Sequence, residues 1–156
     1  MVKILVVSDT HRVIEKMLLA VELEKPDMVL HLGDHDADAI ELSRIKPNLP
    51  ICYVRGNCDS FSDSAIIYSH SIGGVKIFAT HGHKYNVKNG LLSFQYAAME
   101  AGARVALYGH THVAYCQEHY GKWIMNPGAC GGYRACYGLI EIKNDSVSCR
   151  IVEGNL

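Results

Sequence analysis

The chain has 156 residues, of which 49% are apolar and 20% charged, with a formal net charge of −1. That balance suits one globular domain spanning 1–156 and excludes a disordered chain. It offers no bulk attraction to a long nucleic acid, and no apolar run approaches the roughly 18 residues that cross a membrane.

Taken in chain order, residues 2–8 are a continuous Val/Ile/Leu run, as in a strand buried on both faces. The N-terminus lacks a cleavage site and runs straight into Ser8-Asp9, so it reads as a strand and not as a signal peptide. Residues 12–24 carry Val13, Ile14, Met17, Leu18 and Val21 at helical spacing, stopped by Pro26. Strands at 28–32 and 51–55 flank a helix at 36–45, which gives β-α-β-α-β and a parallel sheet with right-handed crossovers. Residues 65–71 and 75–80 flank Gly73-Gly74, a hairpin signal. A helix over about 90–101, a strand at 104–108 and two further hairpins, 113–119 with 122–125 and 137–143 with 146–152, complete the chain. The second half therefore predicts antiparallel strands in a second sheet. The fold class is α/β: a two-sheet sandwich with mixed parallel and antiparallel strands, flanked by helices.

Five of these strands end alike. They run into Ser8-Asp9-Thr10-His11, Gly33-Asp34-His35-Asp36, Gly56-Asn57-Cys58-Asp59, Thr80-His81-Gly82-His83 and Gly109-His110-Thr111-His112. Ligands of open α/β sheets bind beyond the carboxyl ends of the strands. Each residue alone has a plainer reading. Asp9 or Asp36 could cap the next helix, Asn57 could be a turn residue, and His81 could simply be hydrogen-bonded. Five such ends together point to a metal.

The donor pool is Asp9, His11, Asp34, Asn57, His81, His110 and His112. Mixed carboxylate and imidazole suits Mn, Fe, Co, Ni or Zn, and argues against calcium or a structural Zn–Cys site. Seven ligands are too many for one open catalytic ion and fit two ions sharing a carboxylate. Metal pairs about 3.5–4 Å apart act on phosphate esters.

These motifs, in this order, resemble those of the calcineurin-like metallophosphoesterases, and the short chain resembles their small prokaryotic phosphodiesterase branch. The likeness covers about residues 1–134. It implies the family's two-sheet sandwich. It also implies one metal on Asp9, His11, Asp34 and His112, and a second on Asp34, Asn57, His81 and His110. The implied cofactor is two divalent transition ions, manganese first, with Ni, Fe, Co or Zn as alternatives. The implied reaction is hydrolysis of a small phosphate diester by in-line attack of a hydroxide whose pKa falls from about 15.7 toward about 7.

The chain departs from many relatives where Cys58 follows Asn57 in place of a histidine that can protonate the leaving group, since a thiol is a poor substitute near neutral pH. Asn126-Pro127-Gly128-Ala129 has Ala where the branch has Ser. Arg134 is a candidate phosphate contact, and His83 a candidate contact to the metal ligands or to phosphate. For His35 and Asp36 the default readings are a surface position and a helix cap. His31 is expected to bond within the core, His70 and His119 to lie at the surface, and Met17, Met28 and Met99 to pack. The alternative function is a non-catalytic protein-binding scaffold of the same fold, like the retromer subunit, but such a scaffold would lack the imidazoles retained here. The expected partner is a small phosphate ester, with no membrane and no long nucleic acid. Six cysteines without a C-x-x-C pair fit reduced thiols in the cytoplasm. The oligomeric state stays open, a homodimer included.

Overall fold

The computed structural model describes residues 1–154 and 156. One sheet is built from β1 (Val2–Val7), β2 (Met28–His31), β3 (Ile51–Tyr53), β9 (Ala135–Lys143) and β10 (Ser146–Gly154), in the order β10-β9-β1-β2-β3. The other has the order β4-β5-β6-β8-β7, from β4 (Ile67–Ile72), β5 (Val75–Thr80), β6 (Val105–Leu107), β7 (Tyr115–His119) and β8 (Lys122–Asn126). Helices α1 (Ile14–Glu24) and α2 (Asp36–Ile45) cover the first sheet, and α3 (Leu92–Glu100) covers the second. A 3₁₀ turn over His83–Tyr85, which the residue pattern does not announce, follows β5.

The two-residue period of each strand sorts its side chains between layers. Ile4, Val6, Leu30 and Leu32 meet Ile77, Val105, Leu107 and Met125 between the sheets. Leu5, Val7 and Val29 face the opposite way, onto Met17, Ala20, Val21 and Leu42 of the helices. On the far side Phe78, Ala106 and Tyr108 pack against Phe94 and Ala98 of α3.

Two expectations need correction. The last hairpin does not join the second sheet: β9 pairs antiparallel with β1, Leu5 opposite Leu139, and extends the first. The reason is burial, because β1 is apolar on both faces and its free edge must be covered by a strand that is equally so. Nor is the second sheet purely antiparallel, since β5, β6 and β8 run parallel. Met17 packs as expected, whereas Met99 is largely exposed. His70 and His119 lie at the surface.

His31 is fully buried, and its protonation is set by its neighbours. The Gly33 N–H donates to Nδ1 at 3.1 Å, so the ring proton sits on Nε2. Nε2 then donates to the Thr10 hydroxyl at 3.0 Å, and that hydroxyl donates to Asp38 at 2.6 Å. The chain ties the ends of β1 and β2 together with a neutral imidazole. Burial drives the His31 pKa from its ordinary 6.5 to about 4, and Asp38, Asp59 and Asp9 only partly offset it. The unfolded chain therefore takes up this proton first. Stability falls as pH drops from about 6.5 towards about 4, by at most ~1.4 kcal/mol per pH unit for this group. Urea unfolding at pH 6.5 and 5.0 checks this: His31→Gln should flatten the slope by nearly one proton, and an unchanged slope contradicts it.

Candidate metal centre

Each of the five strand ends delivers its polar residue to one place. Asp9, which follows β1, is fully buried. Its Oδ2 accepts from the Ser8 hydroxyl at 2.6 Å and from the His110 N–H at 3.2 Å. Its Oδ1 is buried with no hydrogen-bond partner. His112 Nε2 lies 3.1 Å from that oxygen, outside hydrogen-bond geometry, and His11 Nε2 lies 4.0 Å away. The two imidazole nitrogens are themselves 3.4 Å apart.

Asp34, after β2, is 3% exposed. Its Oδ1 accepts the Cys58 N–H at 2.9 Å and lies 3.4 Å from His81 Nε2. His81, after β5, hydrogen-bonds through Nδ1 to the Leu32 carbonyl at 2.9 Å. A carbonyl only accepts, so Nδ1 carries the proton and the Nε2 lone pair faces the cluster. There it meets Asn57 Oδ1 at 3.1 Å and His110 Nδ1 at 3.2 Å. Donor atoms of Asp9, His11, Asp34 and His112 all lie within 4.8 Å of one another, as do those of Asp34, His81 and His110, and Asp34 belongs to both groups.

Electron-rich atoms packed this closely need positive charge between them. For His81, burial disfavours the charged ring, but the bond to Asp34 and the charge of Asp9 prevail and raise its pKa. For Asp34, burial opposes ionisation, yet His81 and the Cys58 N–H outweigh it and hold its carboxyl well below the usual carboxylate range. A proton on His81 thus does in part what a cation would do fully. The orphaned Asp9 Oδ1 and the inward Nε2 lone pair of His81 show that the donors fit metal ions.

Backbone strain is concentrated at the same place. Asp9 (φ 55°), His11 (46°), Asp34 (56°), His110 (67°) and His112 (61°) all adopt the left-handed conformation that non-glycine residues avoid. Close approach keeps the glycines between them. A Cβ on Gly109 would lie 2.1 Å from Ser8 Oγ, and one on Gly56 would lie 2.1 Å from Asp34 Oδ1.

Two residues hold these loops without offering a metal ligand. Asp59, 8% exposed, accepts N–H bonds from Gly56 (2.6 Å), Asp34 (3.0 Å), His35 (2.8 Å) and Asp36 (3.1 Å). It caps α2 from a distant loop, which is the task the sequence suggested for Asp36. Asp36 is instead buried and accepts from the Ser62 and Ser64 hydroxyls. Asn126 donates to the Gly109 carbonyl (3.0 Å) and to Thr111 Oγ1 (2.9 Å), and accepts from the Gly128 N–H. The spacing of Asn57-Cys58-Asp59 gave a signal for Asp59. Asn126 was marked only as the first residue of Asn126-Pro127-Gly128-Ala129, with no role attached to its side chain.

The other candidates fall at the rim. Half-buried His83 has an unpartnered buried Nδ1 and a ring 5.5 Å from that of His81; burial lowers its pKa. The Cys58 thiol is exposed, and burial, then the Asp34 charge, push its pKa up, so it stays protonated. Arg134 is exposed, and among the described residues its side chain makes no hydrogen bond or ion pair. Its loop does rest on the centre, through Cys130 N–H to Ser8 O (2.9 Å) and Gly131 N–H to Asp9 O (3.2 Å).

A family profile for the calcineurin-like phosphoesterase superfamily domain matches residues 2–145. The chain belongs to this superfamily. Among its relatives, the probable metallophosphoesterase YsnB of Bacillus subtilis (strain 168) is 32% identical over 96% of this chain and 90% of its own. Phosphodiesterase YfcE of Escherichia coli (strain K12) is 30% identical over 61% of this chain and 53% of its own. Among solved structures, a predicted phosphoesterase from Streptococcus pneumoniae TIGR4 superposes with a TM-score of 0.80 at 27% identity, covering 97% of this chain and 89% of that one. Vps29 from Entamoeba histolytica complexed with Zn²⁺ shares the fold, with a TM-score of 0.74 at 22% identity over 97% of this chain and 98% of that one.

Asp59→Ala should lower the stability of the protein by about 2–4 kcal/mol, because four N–H groups, three of them buried, lose their acceptor. Urea unfolding of the metal-free protein measures it. A loss below about 0.5 kcal/mol, the ordinary cost of a surface change, contradicts the role given to this carboxylate.

Proposed function

We propose that the chain is a two-metal phosphodiesterase acting on small phosphate diesters. The observation that carries the reading is the two donor groups meeting at Asp34. Asp9, His11 and His112 would hold one ion, Asn57, His81 and His110 the other, with Asp34 shared. The oxygen-and-nitrogen set suits manganese first, and Ni, Fe, Co or Zn otherwise; the Zn²⁺ bound by the similarly folded Vps29 supports a site for such ions. Bound there, the ions would supply Lewis acidity and a water acidic enough to act as nucleophile near neutral pH.

The chain's own part is positional. The Leu32 carbonyl keeps the His81 proton on Nδ1, and the Cys58 N–H and the Asp9 hydrogen bonds fix the carboxylates before any ion arrives. His83 and Arg134 are assigned to contacts with the phosphate oxygens. The Cys58 thiol, protonated and exposed, is assigned no proton transfer, so the backbone N–H is what that residue contributes. Esters with poor leaving groups should accordingly react slowly. The diester preference is supported by the relative named phosphodiesterase YfcE. Six free cysteines favour a reducing, cytoplasmic setting, and no helix among the described residues is long and apolar enough to cross a membrane.

The fold shared with Vps29 supports a second reading, a non-catalytic protein-binding scaffold; the complete donor set favours the hydrolase. The test is hydrolysis of bis-p-nitrophenyl phosphate after chelation and metal return. Activity should vanish with the metal, return best with manganese, and fall in Asp34→Asn by more than the roughly 100-fold that outer-shell partners cost. Inertness with Mn, Ni, Co, Fe and Zn alike overturns the catalytic reading in favour of the scaffold.

A further inference from the structure

Beside the centre lies a cleft of about 670 Å³ between the start of α2 and the loop after β3, lined in part by His35, Ile40, Tyr53, Cys58, Phe61 and Asp63. Two of its lining residues, His35 and Cys58, are the chain neighbours of the candidate ligands Asp34 and Asn57. The Cys58 N–H bonds the shared Asp34 carboxylate at 2.9 Å, and the His35 ring lies 5.3 Å from that of His11. Phe61 stands at its wall with its ring wholly in solvent.

A single exposed apolar residue needs no explanation by itself. The loop that carries it does, because it is pinned on both sides of the ring. The Ser62 N–H donates to the Asp59 carbonyl at 3.1 Å, and the Arg55 guanidinium donates to the Ser62 carbonyl at 2.9 Å. The Ser62 and Ser64 hydroxyls both donate to buried Asp36. The segment around Phe61 is therefore fastened to the Asp36 carboxylate through its serine hydroxyls and to the Asp59 backbone carbonyl through the Ser62 N–H, while the ring itself covers nothing.

Charge narrows what fits. No Lys or Arg lines the cleft, whereas Asp36, Asp59 and Asp63 do. Phosphate and other anions are disfavoured there, so the phosphate belongs with the metal ligands. What remains for the cleft is an uncharged organic group, and the flat face of Phe61 with Tyr53 and Ile40 nearby favours a ring.

We propose that this cleft is the subsite for an uncharged aromatic ester group of the substrate, which stacks on Phe61 while its phosphate sits among the Asp34-centred ligands. The inference rests on the phosphoesterase reading and adds a substrate class to it: esters carrying a flat, neutral ring.

The test is calorimetric binding of phenylphosphonate and methylphosphonate to the manganese-loaded protein, with bis-p-nitrophenyl phosphate hydrolysis followed in parallel. Each ligand carries a single organic group, so the ratio of affinities reports the cleft alone. Wild type should favour the phenyl compound by roughly 10-fold. Phe61→Ala should reduce the preference to about 2-fold and Phe61→Trp should keep it. Phe61 is fully exposed, so both variants should melt with the wild type. Hydrolysis without any change of preference in Phe61→Ala overturns the cleft and leaves the catalytic reading standing. A Phe61-dependent preference with no hydrolysis under Mn, Ni, Co, Fe or Zn upholds the cleft and retires catalysis. Failure of both phosphonates to bind overturns the subsite.

Discussion

A carboxylate almost shut off from water, facing an imidazole lone pair and an amide oxygen, is stable only with positive charge beside it. Asp34 is in that position, 3.4 Å from His81 Nε2, which in turn lies 3.1 Å from Asn57 Oδ1. Water cannot solvate such a cluster, and in a medium of low polarity the mutual repulsion is large. The Leu32 carbonyl closes the alternative tautomer of His81, so the neutral ring cannot turn an N–H inward, and only an added proton or a cation relieves the crowding. Most of the surrounding structure can be understood as the means of keeping these atoms together until a cation arrives.

The means are backbone strain and the groups that resist it. Five candidate ligands sit in left-handed conformations that cost on the order of 1–3 kcal/mol each. They persist because the loops are bound to one another. Asp59 gathers four N–H groups from the ends of β2 and β3, Asn126 grips the loop after β6, and the bare Cα atoms of Gly56 and Gly109 let neighbouring loops touch. The parallel strands β1, β2 and β3 of one sheet, and β5 and β6 of the other, deliver their carboxyl ends to the same rim of the sandwich. The functional site is therefore a property of how two sheets stack, and no single motif makes it.

Much of this was legible in the residues because the strands are short, apolar and punctuated by glycine. The continuous apolar run Ile4-Leu5-Val6-Val7 and the Gly73-Gly74 turn mark β1 and the β4–β5 hairpin directly. The donor residues were legible because carboxylates and imidazoles have no business following buried strands unless something gathers them. Less legible was everything decided by tertiary pairing. The final hairpin crosses to the first sheet because β1 needed cover, a fact about burial that no local pattern carries. Asp59 and Asn126 act only through backbone groups from other loops, so their roles become visible only when those loops are placed. His31 showed the reverse case: its position inside a strand indicated an internal hydrogen bond, and the chain Gly33–His31–Thr10–Asp38 supplies it.

The central claim concerns charge and place: two cations, one carboxylate between them. Anomalous diffraction at the manganese edge from manganese-soaked crystals tests it most directly. The account predicts two peaks per chain, both within coordination distance of Asp34, one also beside Asp9 and His112 and the other beside His81 and His110. A map with no peak at Asp34, or with Asp34 hydrogen-bonded as before and manganese bound elsewhere, would contradict it.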